Sequence, residues 1–260
     1  MPESAALYTL PPQTLKTDLT ALINRISRQH PSPVPVFFRA DDIGIPSANF
    51  QRLIALFLRH KIPLCLATVP SWLNGERLEE LYRITGKTSS QWCWHQHGYL
   101  HRNYETEGKK QEFGPARPEK DIKNDIKRGK ERLESLLGKE FQPFFTPPWN
   151  RCSAETIAIL ADLGFKALSR SRGASPETIA ALPDLQVNVD LHTRKEETAV
   201  SGFANLSEEL ESSITAGRCG IMIHHGRMNS KAFDFLDILL ENIAKSPALI
   251  PVLFDDLPGT

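Results

Sequence analysis

Six of the eight histidines in this 260-residue chain lie beside acids or beside one another. Asp41 and Asp42 are adjacent, His95, His97 and His101 fall within seven residues, Asp190 precedes His192 by two, and His224 and His225 are neighbours. Two imidazoles and one carboxylate make the three-ligand set of a catalytic metal site, in which a position stays open for water. His97 and His101 are four apart, and one helical turn would point both rings the same way. Consecutive strand residues face opposite sides, so Asp41 and Asp42 do not readily flank one glycosidic bond. A division of labour suits them better, with one holding a metal and the other acting on water. The plainer readings are a surface pair of histidines and an Asp pair used as a turn or cap.

The elements that must position these groups alternate. Leu15, Leu19, Leu22, Ile23 and Ile26 recur at helical spacing. Strands are predicted at Val34–Ala40, Pro63–Val69, Gln91–His95, Phe141–Thr146, Lys166–Ser169, Leu185–Leu191, Cys219–Ile223 and Ala248–Phe254. Ser47 caps a helix with Phe50, Leu53, Ile54, Phe57 and Leu58 on its apolar face. A short helix is predicted around Glu76–Thr85. A longer one, Glu119–Leu137, carries Ile122, Ile126, Leu133 and Leu136 and ends at Gly138, a residue suited to the C-cap. Ser153 caps the next, Ser175-Pro176-Glu177 opens another, Ser207–Ala216 forms a seventh, and Ser230 caps the last. Strand followed by helix, seven or eight times over, is the rhythm of parallel strands with helical crossovers. The reactive residues then collect at the C-terminal strand ends, the rim where such folds build sites.

Lys and Arg number 31 and so do Asp and Glu, so no basic excess exists to neutralise phosphates, and nucleic-acid binding is not expected. A hydrophobic share of 40% with 24% charged residues is that of a globular chain. No apolar run approaches the roughly 20 residues of a membrane span, and Met1–Thr20 does not read as a signal peptide. Four scattered cysteines fit neither a zinc knuckle nor a disulfide scaffold. The expectation is a cytoplasmic protein, one domain over 1–260, with 1–30 as an N-terminal helical extension. His30 and His60 end helices, and Asp255 and Asp256 read as a solvated tail; none is assigned chemistry.

Four ordered motifs between residues 34 and 226 resemble those of the polysaccharide deacetylases, carbohydrate esterase family four. Arg39-Ala40-Asp41-Asp42 is similar to their first motif, and His97-Gly98-Tyr99-Leu100-His101 to the second. Phe145-Thr146-Pro147-Pro148-Trp149-Asn150 is similar to the third, and Met222-Ile223-His224-His225 to the last. The resemblance implies an α/β fold, a distorted seven-stranded (β/α) barrel, and one divalent metal ion, in the first place zinc. It implies removal of acetyl from an N-acetylated sugar or related amide, with Asp42, His97 and His101 as metal ligands. Asp41 would be the base, His224 the acid and the Trp149 N–H an oxyanion donor, with Arg151 and His225 toward the substrate.

The third motif departs from its usual Arg-Pro-Pro-Tyr-Gly. Thr146 replaces the Arg, with Arg39 or Arg151 as substitutes, and Trp149 and Asn150 replace Tyr and Gly. His225 stands where an acidic residue often follows the acid histidine. Two rivals are an amidohydrolase-type metal hydrolase using His95 and His97, and a sugar-binding barrel without turnover.

Overall fold

The chain is described here by a computed structural model covering residues 5–29, 32–86 and 90–257. His30 lies outside the described residues. In chain order the elements are α1 (Pro12–Gln29), β1 (Val34–Ile43), α2 (Ala48–His60), β2 (Leu64–Thr68), α3 (Gly75–Thr85), β3 (Trp92–His97), α4 (Glu119–Leu137), β4 (Phe141–Thr146), α5 (Ala154–Asp162), β5 (Ala167–Leu168), β6 (Val189–Asp190), α6 (Ala199–Thr215), β7 (Cys219–Ile223), α7 (Ser230–Lys245) and β8 (Leu249–Pro251). Two compact units share these elements: Met1–Ala40, Ser47–Leu64 and Asn188–Leu253 form one, and Asp41–Pro46, Cys65–Val187 and Phe254–Thr260 the other.

In the first unit β7 lies parallel to β1, from Val36 opposite Cys219 to Ala40 opposite Ile223. On β7 lies β6, with Val189 opposite Ile221, and β8 joins the start of β1, with Val34 opposite Leu249. Strands covered on both faces carry nearly continuous apolar runs, and Phe37, Phe38 and Ile221 are fully buried. Helix α1 buries the stripe its spacing predicts, Leu15, Leu19, Leu22, Ile23 and Ile26, and packs on α7. On α2 the Ser47 hydroxyl accepts from the Phe50 N–H, as a cap should. Its buried face contains Leu56, while Leu58 points outward at 44% exposure.

In the second unit the strand order is β5-β4-β3-β2. Strand β4 pairs in parallel with β3, and β5 with β4. Phe113, Ile122, Ile126, Phe145, Ile157 and Leu160 form the core between this sheet and helices α4 and α5. Glu119 and Asp121 occupy the first turn of α4, where carboxylates favour the positive end of the helix dipole. Gly138 ends the helix at φ 56°, a conformation that costs glycine little.

Three elements differ from expectation. No helix follows Ser175-Pro176-Glu177; Asp184 and Val187 instead make isolated parallel bridges, to Leu168 and Ser171. Asp184 explains the difference, because its carboxylate holds the Arg170 Nε and Nη2 at 3.0 Å each, with Arg170 only 1% exposed. A buried guanidinium needs its carboxylate, and that pairing outweighs the weak helical preference of the segment. Helix α6 starts eight residues before the predicted Ser207, since the Thr198 hydroxyl accepts from the Ser201 N–H and caps it there. Asn229, rather than Ser230, caps α7. All four cysteines are buried thiols, and no helix among the described residues is long and apolar enough to cross a membrane.

Candidate metal centre

Asp42 and the two histidines of the second motif come together in the second unit. The Asp42 Oδ1 lies 3.4 Å from the His97 Nε2 and 3.1 Å from the His101 Nε2. All three ligand atoms lie within 4.8 Å of one another. The backbone makes this convergence in an unexpected way. Asp42 sits at φ 65°, so the strand alternation that separates neighbouring side chains is broken at the end of β1. His97 ends β3, and His101 is reached through a loop with Gly98 at φ 60° and His101 at φ 55°, not through a helical turn.

That loop is fastened from several sides by groups the sequence reading did not single out. The Glu112 carboxylate accepts from the backbone N–H groups of Tyr99, Leu100 (2.6 Å) and His101 (3.2 Å). The Gln96 amide donates to the Gly98 carbonyl at 2.9 Å and to Ile126 of α4 at 3.1 Å. A Cβ on Gly98 would lie 2.2 Å from the Glu112 Oε2 and 2.6 Å from the Pro148 Cγ, so glycine is required there. Glu112 falls in a stretch whose composition reads only as a polar loop, and no spacing relates it to His101.

The third motif supplies the floor. The Thr146 carbonyl is 2.9 Å from the His97 Nδ1, and the Thr146 hydroxyl is 2.9 Å from the His95 Nε2. With Nδ1–H donated to the carbonyl, the His97 Nε2 presents a lone pair to Asp42. A lone pair facing a carboxylate oxygen at 3.4 Å requires a positive centre between them. Burial lowers the proton affinity of His97, but the Asp42 hydrogen bond and the charges of Asp41 and Asp42 outweigh it, and its pKa is raised. Burial and the neighbouring His97 push His101 down to about 4. One proton or one divalent cation satisfies such a set. A tetrahedral ion with bonds of about 2.0–2.1 Å needs ligand separations of about 3.3–3.4 Å. The two Asp42 distances, 3.4 and 3.1 Å, lie close to this, and two imidazoles with a carboxylate are donors that suit a divalent ion.

Trp149 and Asn150 stand at φ 57° and 58°. Asn is the side chain that takes this left-handed conformation most readily after glycine, which accounts for Asn150 in place of the usual Gly. The Trp149 ring lies 4.7 Å from His101, and Trp72 lies 5.5 Å from it. Asp41 is 2% exposed. Arg151 reaches the Lys110 carbonyl at 3.4 Å, and Arg39 is buried with its Nη2 3.0 Å from the Met222 sulfur. His95 stands apart from the cluster, with its ring against Phe254 at 5.1 Å and its Nδ1 toward the Cys93 carbonyl.

In the first unit, the Asp190 carboxylate accepts from the His192 and Thr193 N–H groups and so forms a turn. The His192 Nδ1 accepts from the His224 N–H at 3.3 Å. Burial and the nearby His224 push His192 down to about 3. His224 is half-buried just past β7, while His225 is buried edge-on against Phe50 at 5.8 Å. The Asn49 amide holds the His225 and Met228 carbonyls at 2.9 and 3.0 Å. Asp255 is exposed and paired with Lys166, and His60 is paired with Asp237.

The model of a family described as polysaccharide deacetylase matches residues 32–168, more than half of the chain. The chain belongs to the polysaccharide deacetylase family. Solved structures show the same α/β fold, the deacetylase type expected from the motifs. A Mycobacterium smegmatis protein assigned to the polysaccharide deacetylases is 15% identical over 85% of this chain and 88% of that one, with a TM-score of 0.62. A family 4 carbohydrate esterase from Streptomyces lividans, in complex with acetate, is 13% identical over 86% and 93%, at 0.52. A CE4 family pseudoenzyme from Bacillus anthracis is 13% identical over 85% and 64%, at 0.51. These identities show the fold alone. No curated protein sequence matches the chain. The first three motifs of this polysaccharide deacetylase family member fall inside the matched region, and His224 and His225 fall outside it.

A pH signature follows from Glu112. Burial pushes its carboxyl up to about 7 from 4.5, against the pull of the Leu100 and Tyr99 amides. An acid raised on folding binds more protons in the native state between those values, so stability falls as pH rises from about 4.5 to about 7. In ion-free protein this loss amounts to about 3 kcal/mol at 1.36 kcal/mol per pKa unit. Glu112→Gln should flatten that slope in melting curves at pH 5 and pH 8. Equal slopes in the two proteins would remove Glu112 as the source.

Proposed function

We propose that the chain is a metal-dependent deacetylase that cleaves the acetyl–nitrogen bond of an N-acetylated sugar or related amide. A cytoplasmic setting and zinc as the ion are part of this reading. The observation that carries it is the Asp42 carboxylate facing the Nε2 atoms of His97 and His101 at 3.4 and 3.1 Å. Those three side chains would hold the ion, which when bound supplies Lewis-acid polarisation of the acyl carbonyl and a lowered pKa for water. The Thr146 carbonyl keeps His97 in the tautomer that ligation needs. Asp41 accepts the proton of the attacking water at its carboxylate, and the Trp149 N–H donates to the oxygen that gains charge. His224, protonated, donates to the departing nitrogen, which otherwise would leave as an amide anion. Arg151 and His225 bind or orient substrate.

The packing of His225 against Phe50, with its carbonyl held by Asn49, supports His224 as the acid. His224→Ala is expected to slow acetate release by roughly 10²–10⁴-fold and to remove the alkaline limb of the pH profile. An activated acetyl ester, whose leaving group needs little protonation, should rescue it. Rescue of His225→Ala and not of His224→Ala would exchange the two assignments.

Acetate release over a panel of N-acetylated sugars, with chelator and after ion is restored, tests the function itself. Release that depends on the ion supports the reading. Ion bound with no release from any member would leave a sugar-binding barrel. The hydrolase that pairs His95 with His97 is disfavoured by the engagement of both His95 ring nitrogens, with Thr146 and with the Cys93 carbonyl.

A further inference from the structure

Beside Trp149 lies a cleft of about 370 Å³ whose walls include Lys109, Arg151, Ser171 and Arg172. Three cationic side chains line it and no carboxylate does. Among the described residues none of the three cations takes part in an ion pair. Like charges gathered without counter-charge repel one another, so a site built this way is stabilised by an anion that enters it. The backbone under Arg172 is fixed, since its N–H donates to the Val187 carbonyl at 2.9 Å. Arg151 is half-buried, and its guanidinium reaches the Lys110 carbonyl. The cleft adjoins the metal centre through Trp149, which borders the cleft and whose ring lies 4.7 Å from His101. A sugar whose acetamide reached Asp42, His97 and His101 would therefore have a neighbouring part beside these cations.

We propose that the substrate is anionic, an N-acetylated sugar carrying a carboxylate or phosphate that Arg151, Arg172 and Lys109 bind in this cleft. The planar fork of arginine pairs with the oxygens of either group, while Lys109 adds a point charge. Ser171 adds a hydroxyl, and the Trp149 indole an apolar face for the sugar ring. This inference rests on the deacetylase reading for the position of the acyl group, and on the cleft alone for the charge.

The test compares N-acetylglucosamine, its 6-phosphate and an N-acetylated uronate sugar in two assays. Binding is measured by calorimetry on the chelated protein, and acetate release on the ion-loaded protein. At least tenfold tighter binding of one charged sugar over the neutral one is expected, and which of the two prevails separates phosphate from carboxylate. The preference should shrink at high salt and disappear in Arg172→Glu. Arg83→Ala, on α3, should keep it. Equal binding of neutral and charged sugars, or a preference that Arg172→Glu leaves intact, overturns the proposal. Tight anion binding without acetate release from any sugar would retain the anion site and remove the deacetylase reading.

Discussion

Asp41→Asn should lower acetate release by roughly 10²–10⁴-fold while the protein still takes up its divalent ion. Asparagine keeps the shape of a residue that is 2% exposed, so packing is preserved and only the proton acceptor is lost. Its neighbour should behave differently. Asp42→Asn removes the charged ligand, so the ion should be lost first and turnover with it. The left-handed backbone at Asp42 is the reason two consecutive carboxylates can divide these tasks, since it turns Asp42 toward His97 and His101. Elemental analysis of both variants beside their rates decides the matter. Equal metal content in the two would show that the roles are not divided as proposed.

The second large effect is on stability. A ligand present at about 100 times its dissociation constant adds about 2.7 kcal/mol to a folded protein that binds it alone. The difference between melting midpoints with ion and with chelator should therefore be several degrees, and His101→Ala should abolish it. His60→Ala, which alters a pair with Asp237, should leave the difference intact. The ion must displace the proton that Asp42 and Asp41 favour on His97, so the ion-dependent shift should shrink as pH falls. A shift that survives in His101→Ala, or one that grows toward low pH, would place the ion elsewhere.

Much of this was legible in the sequence where one residue type has one physical use. The apolar stripe of α1, the limits of α4 and β7, and the caps Ser47 and Ser153 follow from periodicity and from hydroxyls before helical runs. The ligand cluster was legible because its residues form two compact motifs. Other features depend on partners distant in the chain. Residues 175–187 could not be read locally, because the Arg170–Asp184 pair decides their backbone. Glu112 and Gln96 hold the histidine loop through its backbone amides and carbonyl, and such contacts leave no side-chain pattern to find. Spacing alone predicts a helical turn at His101, while Gly98 and its close neighbours Glu112 and Pro148 impose a loop. Asn150 looked like a departure from its motif, and its φ of 58° shows that it preserves the geometry.

The central claim is that Asp42, His97 and His101 hold one divalent ion. A crystal structure of zinc-loaded protein, with anomalous differences collected on both sides of the zinc edge, tests it most directly. One peak is predicted at about 2.0–2.2 Å from the Asp42 Oδ1 and the Nε2 atoms of His97 and His101. No peak among these atoms, or a peak ligated by His95 with His97, would contradict it.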